Sequence, residues 1–243
     1  MQTNIEIYFL HGWGFESGVW KNWLPQLNSD NSSFIFDRGY FSSHKNNFSL
    51  AKSIHPKIVI AHSFGLHYLS VLDLSQIHTL ILLGSFLHFH QHSNNHRLAK
   101  KKIALMKKQL VIDPKNLLCD FYTNCGITRS LSQFQNINQQ LLHEDLHYLD
   151  TNQISLDSLK SIKEVILLHG YHDKIVNIQH SQTIHKELPN SKLLINPYAD
   201  HSLPIAYSQW CLKAIESQLQ IQIFNHCNTL NEKERHDKVT IPI

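Results

Sequence analysis

The sequence predicts an α/β domain, a mostly parallel sheet flanked by helices with a helical cap inserted part-way along the chain. Three observations predict it. Short runs of β-branched and aliphatic residues alternate with longer amphipathic stretches, which is the rhythm of βαβ units around a buried parallel sheet. Between about residues 85 and 160 that rhythm stops, and apolar residues recur at helical spacing instead. Finally, one apolar run, Lys57 to Ala61, leads through a sharp turn directly into a plausible helix.

The elements follow in order. Ile5 to Leu10 reads as a strand that ends at the turn residues His11-Gly12. Ser33 to Phe36 is a second, stopped by Asp37-Arg38-Gly39. Lys57 to Ala61 is a third, and His78 to Leu83 a fourth, closed by Gly84. Ala99, Ile103, Met106 and Leu110 then mark a helix, and Asn116 to Tyr122 and Ile137 to Leu149 also read as helical. Strands return at Glu164 to Leu168 and Lys192 to Ile195. The expected organisation is a core in two parts, 1–84 and 161–222, with a cap over 85–160. The polar segment 223–243 is expected to be a loose tail.

Composition excludes several classes of protein. At 243 residues, with 42% hydrophobic and 17% charged residues, the chain suits one large globular domain rather than a disordered segment. A net charge of +3 is too small to argue for a nucleic-acid partner. The longest apolar runs, such as Leu80 to Leu83, have strand length, so no membrane segment is expected. Met1 to Asn4 carries no basic region before the first strand, which argues against a secretory leader. The four cysteines (Cys119, Cys125, Cys211 and Cys227) form no CxxC pair and read as reduced thiols. A cytoplasmic monomer is the resulting expectation.

The chemistry is carried by Ala61-His62-Ser63-Phe64-Gly65. Strand, sharp turn and helix form the context of a nucleophile elbow, G-x-S-x-G, in which small residues flank the Ser because the turn brings backbone close. Ala61 replaces the first Gly, the smallest possible departure. The first strand ends in His11-Gly12-Trp13-Gly14, where backbone N–H groups could face a developing oxyanion. Trp13 and Phe64 are the candidate donors.

An acid and a base should follow in chain order. Asp173 lies just past the strand Val165 to Leu168, and His201 just past Lys192 to Ile195. Both positions are carboxyl ends of strands, where ligands collect in parallel sheets. With 19 histidines in the chain, only position can single one out. His172 and Asp200 are the neighbouring decoys.

These motifs resemble the α/β-hydrolase superfamily and, within it, the pimeloyl-acyl-carrier-protein methyl ester esterases of biotin synthesis. The resemblance runs from about Ile5 to Leu219. It rests on Phe9 to Gly14 with Val19-Trp20, on Ala61 to Gly65, on Gly170 to Val176 and on Ala199 to Pro204. It implies Ser63 as nucleophile, His201 as base, Asp173 as its orienter, and Trp13 and Phe64 as oxyanion donors. The ester chemistry read from these residues requires no cofactor and no metal. The resemblance further implies that Phe121, Tyr122 and Cys125 line an acyl site, and that cap arginines engage an acidic acyl carrier protein; after Gly126 the chain offers only Arg129 for that purpose before a run of Gln and Asn. A general short-chain carboxylesterase or thioesterase is the alternative enzyme, and a hydrolase-fold binding module the alternative without catalysis.

Arg97, Lys100, Lys101, Lys102, Lys107 and Lys108 leave a cationic face on a helix that has no acid among them. That face reads either as plain solvated surface or as a dock for an acidic partner, to which Arg97, Lys101, Lys102, Lys108 and Arg129 would contribute. His88, His90, His92 and His96 read as a loop entering the cap rather than as metal ligands. The loop Asp37 to Phe41 is assigned no chemistry, and Trp20 and Trp23 are read as core or pocket wall.

Overall fold

The computed structural model describes residues 4–41, 46, 48–69, 74–93, 95–219 and 223–225. Six strands form one sheet: β1 (Glu6–Leu10), β2 (Ser32–Ile35), β3 (Lys57–His62), β4 (Thr79–Leu83), β5 (Glu164–Gly170) and β6 (Ser191–Asn196). Their order is β2-β1-β3-β4-β5-β6, and every pairing is parallel. The α/β fold class read from the sequence is the one observed.

Strand alternation builds two cores. Ile7, Phe9, Ile58, Ile60, Ile81, Leu83, Ile166 and Leu168 face one side of the sheet, packed with Trp20 and Trp23. Tyr8, Leu10, Val59, Ala61, Leu80, Leu82, Val165 and Leu167 face the other. Successive side chains point to opposite faces, so a strand covered on both faces is largely apolar, and β1, β3 and β4 are buried along their whole length with polar side chains only at their ends.

Between β4 and β5 the chain forms α1 (His96–Ile112), α2 (Pro114–Asn124), α3 (Gln139–Thr151) and the short α4 (Leu156–Leu159). Side-chain oxygens cap the first three: Asn95 accepts from the Leu98 N–H, Asp113 from Asn116 and Asn138 from Leu141. Ile103, Leu110, Leu118, Phe121, Tyr122, Leu142 and Leu146 are buried, in the same core as the first sheet face. After β5 come α5 (Gln179–Glu187), α6 (Leu203–Ala206) and α7 (Ser208–Gln218).

Two expectations change in detail. The helix after the elbow is a tight 3-10 segment over Ser63–Leu69, and the rest of the expected helix, 70–72, lies outside the described residues. The segment expected to be a tail begins packed rather than loose. Ile223 and Phe224 are buried, Phe224 bridges Leu27, and the Asn225 N–H donates to the Gln26 carbonyl at 2.6 Å. Apolar side chains at 223 and 224 continue the core beside Trp23, whose ring lies 6.5 Å from Phe224. Residues 226–243, with Cys227, lie outside the described residues.

Candidate active site

Ser63 follows directly on β3 and has φ 54°, left-handed backbone that a non-glycine residue adopts at a cost. Such strain is expected at an elbow that must project one hydroxyl clear of the sheet. Gly65 is required two residues on, since a Cβ there would lie 2.6 Å from the Leu10 carbonyl oxygen and 3.0 Å from that of His11.

The loop after β6 brings His201 to this hydroxyl. His201 Nε2 lies 3.0 Å from Ser63 Oγ, and Nδ1 lies 2.7 Å from Asp173 Oδ2. A carboxylate only accepts, so Nδ1 carries the proton and Nε2 is left to accept from the Ser63 hydroxyl. The other carboxylate oxygen of Asp173 accepts the N–H groups of Ile175 and Val176, both at 2.8 Å. Burial alone would raise the Asp173 carboxyl. The charge and hydrogen bond of His201, with His169 and the Val176 amide, outweigh it and hold the group below its ordinary value.

The decoys are occupied otherwise. Asp200 Oδ1 accepts from the Ser202 N–H at 2.9 Å and its hydroxyl at 2.6 Å, and His172 is exposed.

The turn after β1 runs beside Ser63. A Cβ on Gly12 would lie 2.9 Å from Ser63 Cβ, so only glycine lets the loop approach this closely. The Arg38 N–H donates to His11 Nε2 at 3.0 Å, which leaves the His11 proton on Nδ1, 2.9 Å from the Gly12 carbonyl. That carbonyl shares a trans peptide with the Trp13 N–H, so anchoring one turns the other the opposite way.

The cap holds the same loop. Tyr122 donates its hydroxyl to the Gly14 carbonyl at 2.7 Å, and Trp13 donates Nε1–H to the Leu142 carbonyl on α3 at 2.9 Å. Phe121 packs edge-on against Trp13, ring centroids 4.9 Å apart. Phe121 and Tyr122 therefore brace the turn as well as covering it. Cys125 is buried, and burial, then the Asp173 and Asp200 charges, push its thiol up. Ser63 is 6% exposed and His201 1%.

Several contributors were missed by sequence reasoning. His169 Nε2 lies 3.5 Å from Asp173 Oδ2 and 2.9 Å from the Val176 carbonyl, while its Nδ1 is 2.7 Å from the Ser181 hydroxyl. The loop assigned no chemistry holds Arg38 and Tyr40, which meet Asp145 of α3: Tyr40 donates to Asp145 at 2.6 Å and contacts Tyr68 at 3.1 Å. Of the histidines at the cap entrance, His90 bonds Asp150 at 2.9 Å and His92 bonds Thr183 at 3.0 Å. Separations of 60 and 91 positions left no local signal for either pair.

The basic residues divide. Arg97, Lys100, Lys101, Lys102 and Lys108 are exposed on α1, whereas Lys107 donates to Asp150 at 3.2 Å. Arg129 does not join that face. It pairs with Glu16 at 3.3 Å and lies 4.5 Å over the Tyr122 ring, because the aromatic face and the carboxylate both attract the guanidinium.

A doubly covered parallel sheet, with Ser, His and Asp converging at the carboxyl ends of three strands beneath a helical cap, defines the architecture. No family model matches the chain, and no curated protein matches it. Solved structures do. An esterase, EaEST, from Exiguobacterium antarcticum is similar with a TM-score of 0.70 at 16% identity, over 89% of this chain and 92% of that one. MenH from S. aureus gives 0.61 at 17% identity, over 88% and 93%. A Bacillus megaterium epoxide hydrolase in complex with an inhibitor gives 0.64 at 14%, over 89% and 93%. The protein has the α/β-hydrolase fold.

Proposed function

We propose that the protein is a serine ester hydrolase acting through an acyl-enzyme. The observation that carries this reading is the contact chain Ser63 Oγ to His201 Nε2 at 3.0 Å and His201 Nδ1 to Asp173 at 2.7 Å. His201 takes the Ser63 proton as the oxygen attacks the ester carbonyl, and Asp173 stabilises the imidazolium without taking a proton itself. The N–H groups of Trp13 and Phe64 receive the oxyanion, each contributing about 3 kcal/mol to lowering the barrier. His201 then protonates the leaving alcohol and activates the water that cleaves the acyl-enzyme.

The substrate we propose is the methyl ester of pimeloyl-acyl carrier protein. Its support is the resemblance of the His11 to Gly14, Ala61 to Gly65 and Ala199 to Pro204 motifs, together with α1. This helix presents five exposed basic residues to solvent with Leu98 and Leu105 among them, 50% and 55% exposed. An acidic carrier with an apolar seam suits such a face. The carrier's bulky prosthetic arm must stay outside a covered site, which leaves the distal ester to reach Ser63.

Mass spectrometry of methyl-pimeloyl carrier protein after incubation tests this. The expected product has lost one methylene's mass and keeps its acyl chain. Release of free carrier would assign a thioesterase instead, and an unchanged carrier would leave only small esters as substrates.

A further inference from the structure

His62, the last residue of β3, occupies a position where the strand calls for an aliphatic side chain. Alternation puts it on the same sheet face as Ile58 and Ile60, and it is completely buried. An imidazole in such a place loses its hydration and needs partners in return. It has one: His62 Nε2 lies 3.0 Å from the backbone carbonyl of His201. Its other nitrogen, Nδ1, has no hydrogen-bond partner among the described residues.

The ring lies between the base and the turn after β1. It belongs to the residue preceding Ser63, its centroid is 4.8 Å from that of His201, and it is 5.1 Å from Phe15 on the turn that carries Trp13. A Cβ on Gly12 would lie 3.3 Å from His62 Nδ1, so that turn packs directly on the ring.

Resting on the reading of Ser63, His201 and Asp173 as a serine-hydrolase triad, we infer that His62 is a positioning residue that fixes the backbone of His201, and so the distance from its Nε2 to Ser63. A carbonyl oxygen only accepts, so Nε2 of His62 must carry the proton. Asp173 holds the His201 imidazole at its far nitrogen, and His62 holds the main chain from which that imidazole hangs. With both ends fixed, Nε2 has little freedom to swing away from Ser63. Burial, and then the neighbouring His201, keep His62 far below its ordinary pKa, so it stays neutral while His201 cycles through its charged form.

Three substitutions separate positioning from mere filling. Gln places a donor nitrogen near the location of Nε2, Asn carries its donor one bond short, and His62→Phe keeps an aromatic ring without a donor. Turnover of a small ester and the downfield proton resonance of His201 Nδ1–H are measured on each, scaled to the folded fraction. For His62→Phe the expected result is a kcat lower by about 10- to 100-fold with KM nearly unchanged, since displacing a reacting group by about 1 Å costs on that scale. His62→Gln should keep the resonance and recover to within about five-fold of wild type, with His62→Asn well below it. Equal rates for Gln and Asn, which stay informative if the Phe variant fails to fold, would overturn the inference, as would a fully active His62→Phe. Failure of the triad reading is distinguishable: the wild-type enzyme would then not turn over the ester at all.

Discussion

Asp145 of the cap grips the guanidinium of Arg38 at two points, Nε and Nη2, each 2.8 Å from a carboxylate oxygen. The two residues stand 107 positions apart, one on α3 and the other on the loop after β2. The Arg38 N–H also donates to His11, so one residue joins the cap, the β2 loop and the turn beside Ser63.

The first prediction concerns this clamp. Asp145 is 5% exposed, and removing Arg38 would leave its carboxylate buried with the Tyr40 hydroxyl as remaining partner. Arg38→Met should destabilise the protein by about 3 kcal/mol, because an unmatched buried charge costs more than a lost surface pair. Urea unfolding measures it. The double variant Arg38→Met with Asp145→Leu should recover part of the loss, and a single variant as stable as wild type would show that the pair holds nothing.

A second prediction follows from buried neutral histidines. Burial lowers the pKa of His11, His62, His67, His169 and His180, with His67 brought to about 4 and His180 to about 3. In the unfolded chain each returns to about 6.5. Above that pH neither state binds these protons and the stability is complete. As pH falls below it the unfolded chain takes up protons that the folded chain refuses, so stability declines until the folded pKa values are reached. Each such group contributes a slope of about 1.4 kcal/mol per pH unit. His67→Gln should flatten the dependence between about pH 6 and 4.5 by close to one proton. Thermal unfolding across that range checks it, and an unchanged slope would contradict it.

The third prediction assigns the α1 face to partner use. Reversing Lys101, Lys102 and Lys108 to Glu should raise KM for carrier-linked substrate, most at low salt, where exposed charges are least screened. Small esters should be unaffected, since Ser63 and its neighbours are untouched. Equal losses on both substrates would mean a disrupted cap and would remove the docking idea.

Much of this architecture is legible in the sequence because burial on both faces writes the inner strands β1, β3, β4 and β5 as largely apolar runs, and the half-exposed edge strands β2 and β6 keep shorter ones. All six strands appear within a residue or two of their expected positions, and the Ala99, Ile103, Met106 and Leu110 spacing marks α1. The meeting of Ser63, Asp173 and His201 could be anticipated because strand ends are visible and the elbow has a local signature. His62 and His169 could not, since each sits inside or at the end of an apolar run and gives no sign of what it bonds. Asp145 was equally silent. Its burial and its link to Arg38 depend on how the cap folds back on the core, and no local spacing records that.

The central claim is that Ser63 is the nucleophile activated by His201, and covalent labelling tests it most directly. A fluorophosphonate probe followed by intact-mass and peptide mapping should give one adduct, on Ser63, with none in Ser63→Ala. In His201→Ala labelling should slow by about 10⁴-fold, because members of such a unit fail together. Asp173→Asn, whose imidazole loses its orienting carboxylate, should label more slowly than wild type. No adduct on a folded wild-type protein, or an adduct that persists in Ser63→Ala, would contradict the account.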